Sequence, residues 1–141
     1  MKNRSHLCGP VVAAGLAVAA LGATPAAADT CKPAGFYEGS YTADYTARSH
    51  AGDSYVFQIA FVNFLSGNTL STVYLTSSGV YGTGSGVVDL STCTAKMAFA
   101  NVNACTGQYA GTYTYADGGV TWTYSGEDCW GTLNGEGKAS Q

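Results

Sequence analysis

Residues able to carry chemistry are few and scattered. His50 is the only histidine beyond the first thirty residues. It is therefore the one side chain there whose ordinary charge change falls between pH 5 and 8. It sits between Ser49 and Ala51 in a polar stretch. A nucleophile–base pair would need Ser49 or Ser54 beside it and a third group holding the base. The spacing supplies no such group, so His50 reads as a solvated loop histidine and no catalytic residue is assigned. The acids are dispersed as well. Glu127 and Asp128 are adjacent, in what reads as a turn, and would point apart in an extended chain. A glycosidase needs two carboxylates facing each other across a sugar. Glu38, Asp44, Asp89, Glu136, Glu127 and Asp128 are therefore expected as solvated surface carboxylates. No calcium loop of the form D-x-[DN]-x-[DN]-G is present.

Gly82-Thr83-Gly84-Ser85-Gly86 has the look of a phosphate cradle. A working one opens a helix whose N-terminus meets the anion, usually with a lysine. Here Val87-Val88-Asp89-Leu90 continues as strand, and no lysine follows before Lys96. The segment reads instead as a strand whose glycines admit neighbouring rings and leave one wall of the molecule bare.

The aromatic residues form the best candidate set. Tyr41 and Tyr45, Phe57 and Phe61, Tyr109 and Tyr113, and Trp122 and Tyr124 recur at even spacing within four segments. Pockets for small molecules are mostly apolar with a few polar groups. Tyrosine offers ring area plus a hydroxyl that wants a partner. These eight are expected either to line a ligand pocket or simply to fill a core. No cofactor is implied.

Compartment follows from the N-terminus. Lys2 and Arg4 precede an apolar run, Val11–Leu21, too short to span a bilayer. Pro25 ends it, and Ala26-Ala27-Ala28 is a small-residue cleavage site. Residues 1–28 are expected to be a secretory signal, and 29–141 a single domain of 113 residues. Basic residues then fall from 6 to 4 while all nine acids remain, a formal charge of −5. Such a chain is a poor partner for nucleic acid, where affinity rests on phosphate neutralisation. An anionic membrane surface is disfavoured for the same reason. No membrane anchor is expected in the mature chain, which should be secreted or periplasmic. Its oligomeric state is not legible.

Four cysteines remain: Cys31, Cys93, Cys105 and Cys129. An even count in an exported domain implies two disulfides. No C-x-x-C pair is available for a metal, so no metal site is assigned.

The elements that must position these residues are strands. Gly35–Thr42 and Gly107–Thr114 both read G-x-Y-x-G-[ST]-Y-T. In a strand this puts alternating glycine and tyrosine on one face. Small–large alternation is how the interior of a small closed sheet is filled. Strands are expected over 37–47, 55–65, 69–76, 81–90, 94–102, 106–115, 120–124 and 129–139. The connections are Ser49–Ser54, Ser66-Gly67-Asn68, Ser77-Ser78-Gly79, Asp117-Gly118-Gly119 and a turn at Ser125–Asp128. No stretch of helical periodicity appears after residue 30. Eight short strands joined by short turns predict an all-β fold. An antiparallel up-and-down barrel is favoured, with a β-sandwich as the alternative. Successive turns of such a meander alternate between its two ends. Cys31 and Cys93 then share one end, and Cys105 and Cys129 the other. Cys93 and Cys105 flank one strand of about 35 Å, far beyond disulfide reach. Cys31–Cys93 and Cys105–Cys129 are therefore the expected bridges.

The pattern resembles the calycin-like barrels: lipocalins, avidins and a looser group of exported bacterial proteins. Gly35-Phe36-Tyr37 stands where lipocalins carry G-x-W, with tyrosine in the tryptophan position. The later lipocalin arginine and T-D-Y elements are absent, as is the avidin set of biotin-stacking tryptophans, since only Trp122 and Trp130 exist. Gly111-Thr112-Tyr113 and Asp128-Cys129-Trp130-Gly131-Thr132 match the G-T-Y and D-C-x-G-T of the looser exported group, which assigns no functional residue. The resemblance implies a barrel with room for one small apolar or aromatic ligand. Two other functions remain open. One is a structural or interaction protein, such as a surface, adhesion or inhibitor domain without a cavity. The other is an isomerase or cyclase of the kind some calycin-like barrels host, supported by fold analogy alone.

Overall fold

The alternation of ring and glycine closes the sheet on itself. The computed structural model describes residues 31–141, so the expected export signal, 1–28, lies outside the described residues. Eight strands follow one another: β1 Gly35–Tyr45, β2 Ser54–Ser66, β3 Thr69–Thr76, β4 Tyr81–Asp89, β5 Thr94–Asn101, β6 Gln108–Ala116, β7 Gly119–Asp128 and β8 Gly131–Ser140. Each pairs antiparallel with the next, and β8 returns to β1, giving a closed up-and-down barrel. The sandwich alternative is excluded. A short 3-10 turn, Arg48–His50, lies between β1 and β2.

Both copies of the repeat behave as their period demands. Tyr37, Tyr41 and Tyr45 face inward from β1, and Tyr109, Tyr113 and Tyr115 from β6. Asp117 and Gly118 both take positive φ, 52° and 74°. That is the turn geometry whose twist matches a two-residue hairpin. β1 begins and ends two residues earlier than expected and β6 begins two residues later, and the largest difference lies at the end of β7. Ser125–Asp128 continues β7 rather than turning, and the turn is Cys129-Trp130. Trp122, Tyr124, Gly126 and Asp128 keep the two-residue inward period, and Gly126 leaves room for the Tyr109 ring beside it. The polar composition of Ser125–Asp128 hid a strand.

The two disulfides join Cys31 to Cys93 and Cys105 to Cys129, with Cα atoms 5.3 and 5.4 Å apart. Each staples one end of the barrel, as the meander topology requires. The Cys31 end is shut. Pro33, Tyr37, Leu70 and Val88 are fully buried there. Asn63 Nδ2 donates to the Pro33 carbonyl at 3.0 Å, and the Tyr37 hydroxyl to the Lys32 carbonyl at 3.2 Å. Tyr37 stacks on Phe61 at 5.1 Å and meets Tyr115 edge-on at 6.0 Å. The segment before β1 thus plugs the floor.

The outer surface divides by charge. Residues 54–88 contain no Asp, Glu, Lys, Arg or His. Their outward side chains on β2–β4 include exposed Val56, Phe64, Val73, Leu75, Tyr81 and Val87.

Candidate functional site: a cup lined by rings

Above the plugged floor the barrel is hollow. A cavity of about 240 Å³ reaches from Asn63, Tyr115 and Thr72 to the end that carries Cys105. All eight aromatic residues singled out from the sequence border it. Tyr41, Phe57, Tyr109 and Tyr124 point inward yet remain only half-buried. An inward side chain in a filled barrel would be buried, so these exposures register empty space beside the rings.

The rings form a connected wall. Phe61 meets Trp122 edge-on at 5.9 Å, and Trp122 stacks on Tyr113 at 5.3 Å. Tyr113 leans on Phe99 at 5.3 Å, and Phe99 meets Tyr74 at 6.0 Å. Tyr41 lies between Phe57 and Tyr124 at 5.4 and 6.2 Å. The glycine strand serves this wall. Gly82 leaves space for the Tyr74 ring, Gly84 for Phe99 and Gly86 for the Met97 thioether. The wall is therefore not bare: cross-strand neighbours lie over its glycines, and the phosphate reading has no helix to support it.

A polar belt circles the mouth. The Tyr74 hydroxyl donates to Asn101 Oδ1 at 2.7 Å, and Asn101 Nδ2 donates to the Tyr109 hydroxyl at 2.9 Å. Tyr109 and Tyr45 donate to Asp128 Oδ2 at 3.2 and 2.7 Å. Asp128 Oδ1 accepts the backbone N–H groups of Trp130 and Gly131 at 2.8 and 3.3 Å. Asp128 is 9% exposed, so it is not the solvated carboxylate expected from its sequence context. Its burial is supported by four donors from three elements. Sequence reasoning missed it because the acid sat in a stretch read as a turn. The inward period from Trp122 would have placed it.

His50 lies in the connection between β1 and β2, as expected, but it is only partly solvated. Its ring is half-buried, tilted over Trp130 at 4.8 Å, and its Nδ1 is 3.0 Å from Asp53 Oδ2 and 3.3 Å from the Tyr55 hydroxyl. With Tyr45 and Tyr55 it forms an aromatic rim on one side of the mouth. No hydroxyl nucleophile faces it: Ser49 donates to the Trp130 carbonyl and Ser54 to Asp44. The other acids stay apart. Glu127 pairs with Arg48, while Glu38, Asp89 and Glu136 are exposed on outer faces.

Electrostatically the interior disfavours charge. Burial pushes the Tyr41 hydroxyl up to about 12, with the Thr76 hydroxyl pulling it down and the Asp128 charge adding to the rise. Burial likewise raises Tyr74, Tyr109, Tyr113 and Tyr124. No Lys, Arg or His of the described residues lines the cavity. Among the described residues, no group of three His, Cys, Asp or Glu could hold a metal ion. No helix of the described residues is long and apolar enough to cross a membrane. Two disulfides fit an oxidising compartment.

No protein-family model matches the chain, and no curated protein matches it.

Proposed function

We propose that this protein is an exported binding module that holds one small apolar or aromatic molecule inside its barrel, in the manner of the calycin-like barrels it resembles. The observation that carries the reading is the half-exposed inward rings around a cavity above a sealed floor. A cavity of about 240 Å³ exceeds the ~150 Å³ that accepts benzene and falls short of the ~300–1,000 Å³ of drug-sized sites. It suits one or two rings. Naphthalene should raise the melting temperature saturably by several degrees, as a ligand of the native state alone must. Ala43→Leu, which fills the upper cavity, should abolish the shift. Melting curves that ignore naphthalene, benzene and indole alike would overturn the reading. Export has its own check: material recovered outside the cell should begin at Asp29.

A second reading rests on the uncharged outer face of β2–β4, whose exposed apolar side chains suit a protein partner. Concentration-dependent sedimentation abolished by Phe64→Lys would favour it.

A further inference from the structure

We propose that the Tyr113 hydroxyl selects the ligand: the cavity takes a neutral, flat molecule of one or two rings whose single hydrogen-bonding group meets Tyr113 Oη inside the barrel. This rests on the cavity being a binding site and adds which molecules it accepts.

Tyr113 differs from the other tyrosines. Tyr37, Tyr45, Tyr55, Tyr74, Tyr109, Tyr115 and Tyr124 all have hydroxyls engaged in hydrogen bonds. Tyr41 is only half-buried, beside Thr76, and makes no hydrogen bond among the described residues either, and Tyr81 is exposed on the outer face. Tyr113 is 8% exposed. Among the described residues no protein group bonds its hydroxyl, although a buried tyrosine hydroxyl normally finds a partner. The oxygen is nevertheless reachable, since no fully enclosed side-chain oxygen or nitrogen of the described residues lacks a hydrogen bond. The side chain points inward in a closed barrel, so that access comes from the cavity.

The hydroxyl is also fixed in place. Trp122 stacks on the ring with planes 11° apart, and Phe99 braces it from the neighbouring strand. A pre-positioned donor–acceptor among ring faces is how apolar pockets obtain specificity. Flatness follows from the walls: Tyr41, Phe61, Phe99 and Trp122 offer ring surfaces, which favour stacked or edge-on aromatic partners. Neutrality follows from charge. The acid lining the cavity, Asp128, has both oxygens occupied by donors, and among the described residues no cation lines the site. An ionised ligand group would be buried without a counter-charge.

The test compares naphthalene with 2-naphthol, which share a ring system and differ by one hydroxyl. Binding is followed by quenching of tryptophan emission, in wild type and in Tyr113→Phe. The variant keeps the ring and its stacking. Wild type should bind 2-naphthol about tenfold more tightly, the order expected when one buried polar group gains or lacks its partner. Tyr113→Phe should lose that preference and bind both alike. A preference that survives in Tyr113→Phe overturns the proposal, because another group then reads the hydroxyl. Absence of preference in wild type also overturns it, leaving Tyr113 to hold only a water. If naphthalene itself fails to bind, the binding reading falls first. Should Tyr113→Phe not fold, the ¹³Cζ resonance of Tyr113 in wild type decides. It should move with 2-naphthol beyond its response to naphthalene, and equal responses overturn the proposal.

Discussion

The Tyr45 hydroxyl donates to Asp128 Oδ2 at 2.7 Å, joining residues 83 apart in the chain. That bond fastens the end of β1 to the turn between β7 and β8, at the mouth of the cup. Tyr109 adds β6 to the same oxygen. The other oxygen holds the two backbone N–H groups that shape the turn itself. One buried carboxylate thus sets the geometry of the opening, and the Cys105–Cys129 bridge closes the same end covalently.

Asp128→Ala should therefore be costly for a residue so near the surface. It leaves buried donors without an acceptor, and such a loss amounts to about 2–3 kcal/mol. Asp128→Asn should cost less, because one amide oxygen still accepts while the NH2 group opposes the remaining donors. Urea denaturation of both variants checks the order. A loss below about 0.5 kcal/mol for Asp128→Ala, as at an ordinary surface site, would show that the belt does not constrain the mouth.

Much of this molecule was readable from period two alone. The barrel, its strand order, both disulfides and the eight inward rings follow from alternation and from the ends at which successive turns must lie. What escaped was polar and inward. Asp128, Asn101 and Asn63 carry the belt and the floor, yet a buried acid or amide has the same letter as a solvated one. Only the partners brought by other strands distinguish them. Tyr74 and Phe99 complete the wall, but their strands read as ordinary alternation with no repeat to single them out. The packing around His50 escaped for a related reason. Its companions Trp130 and Tyr45 reach it only after β8 closes on β1.

Gly137 should tolerate no side chain. It lies inward on β8 between Tyr41 and Trp122. A Cβ there would enter the Trp122 indole. Gly137→Val should destabilise by about 1–3 kcal/mol, the usual result of overpacking, and should shift tryptophan emission as the indole moves into the cavity. An unchanged spectrum together with unchanged stability would mean that the ring does not rest on this glycine.

The two bridges should differ in weight. Cys31–Cys93 spans 62 residues and Cys105–Cys129 spans 24. By loop-closure entropy they restrict the unfolded chain by about 4.3 and 3.4 kcal/mol respectively. Replacing Cys31 and Cys93 by serine should lower stability more, and it also frees the segment that plugs the floor. Replacing Cys105 and Cys129 should leave the floor intact and loosen the mouth. Equilibrium unfolding of the two double variants gives the order, and the reverse ranking would place the main restraint at the mouth.

Alkaline pH should unfold this protein through its tyrosines. Burial raises the hydroxyls of Tyr41, Tyr115 and Tyr124 above the ordinary value of 10.0, Tyr41 to about 12. The folded state then keeps protons that the unfolded chain releases above pH 10. Stability is therefore full below pH 10 and falls as pH rises through the interval to about 12. Each such group removes about 1.4 kcal/mol per pH unit within its interval, so three together remove about 4 kcal/mol per unit. Two units therefore remove about 8 kcal/mol, which reaches the transition for a domain in the lower half of the roughly 5–15 kcal/mol typical range. Tyrosinate absorbance should accordingly rise in step with the loss of near-ultraviolet circular dichroism between pH 10 and 12. A graded tyrosine titration with the dichroism intact at pH 12 would show that the interior hydroxyls are in contact with bulk water.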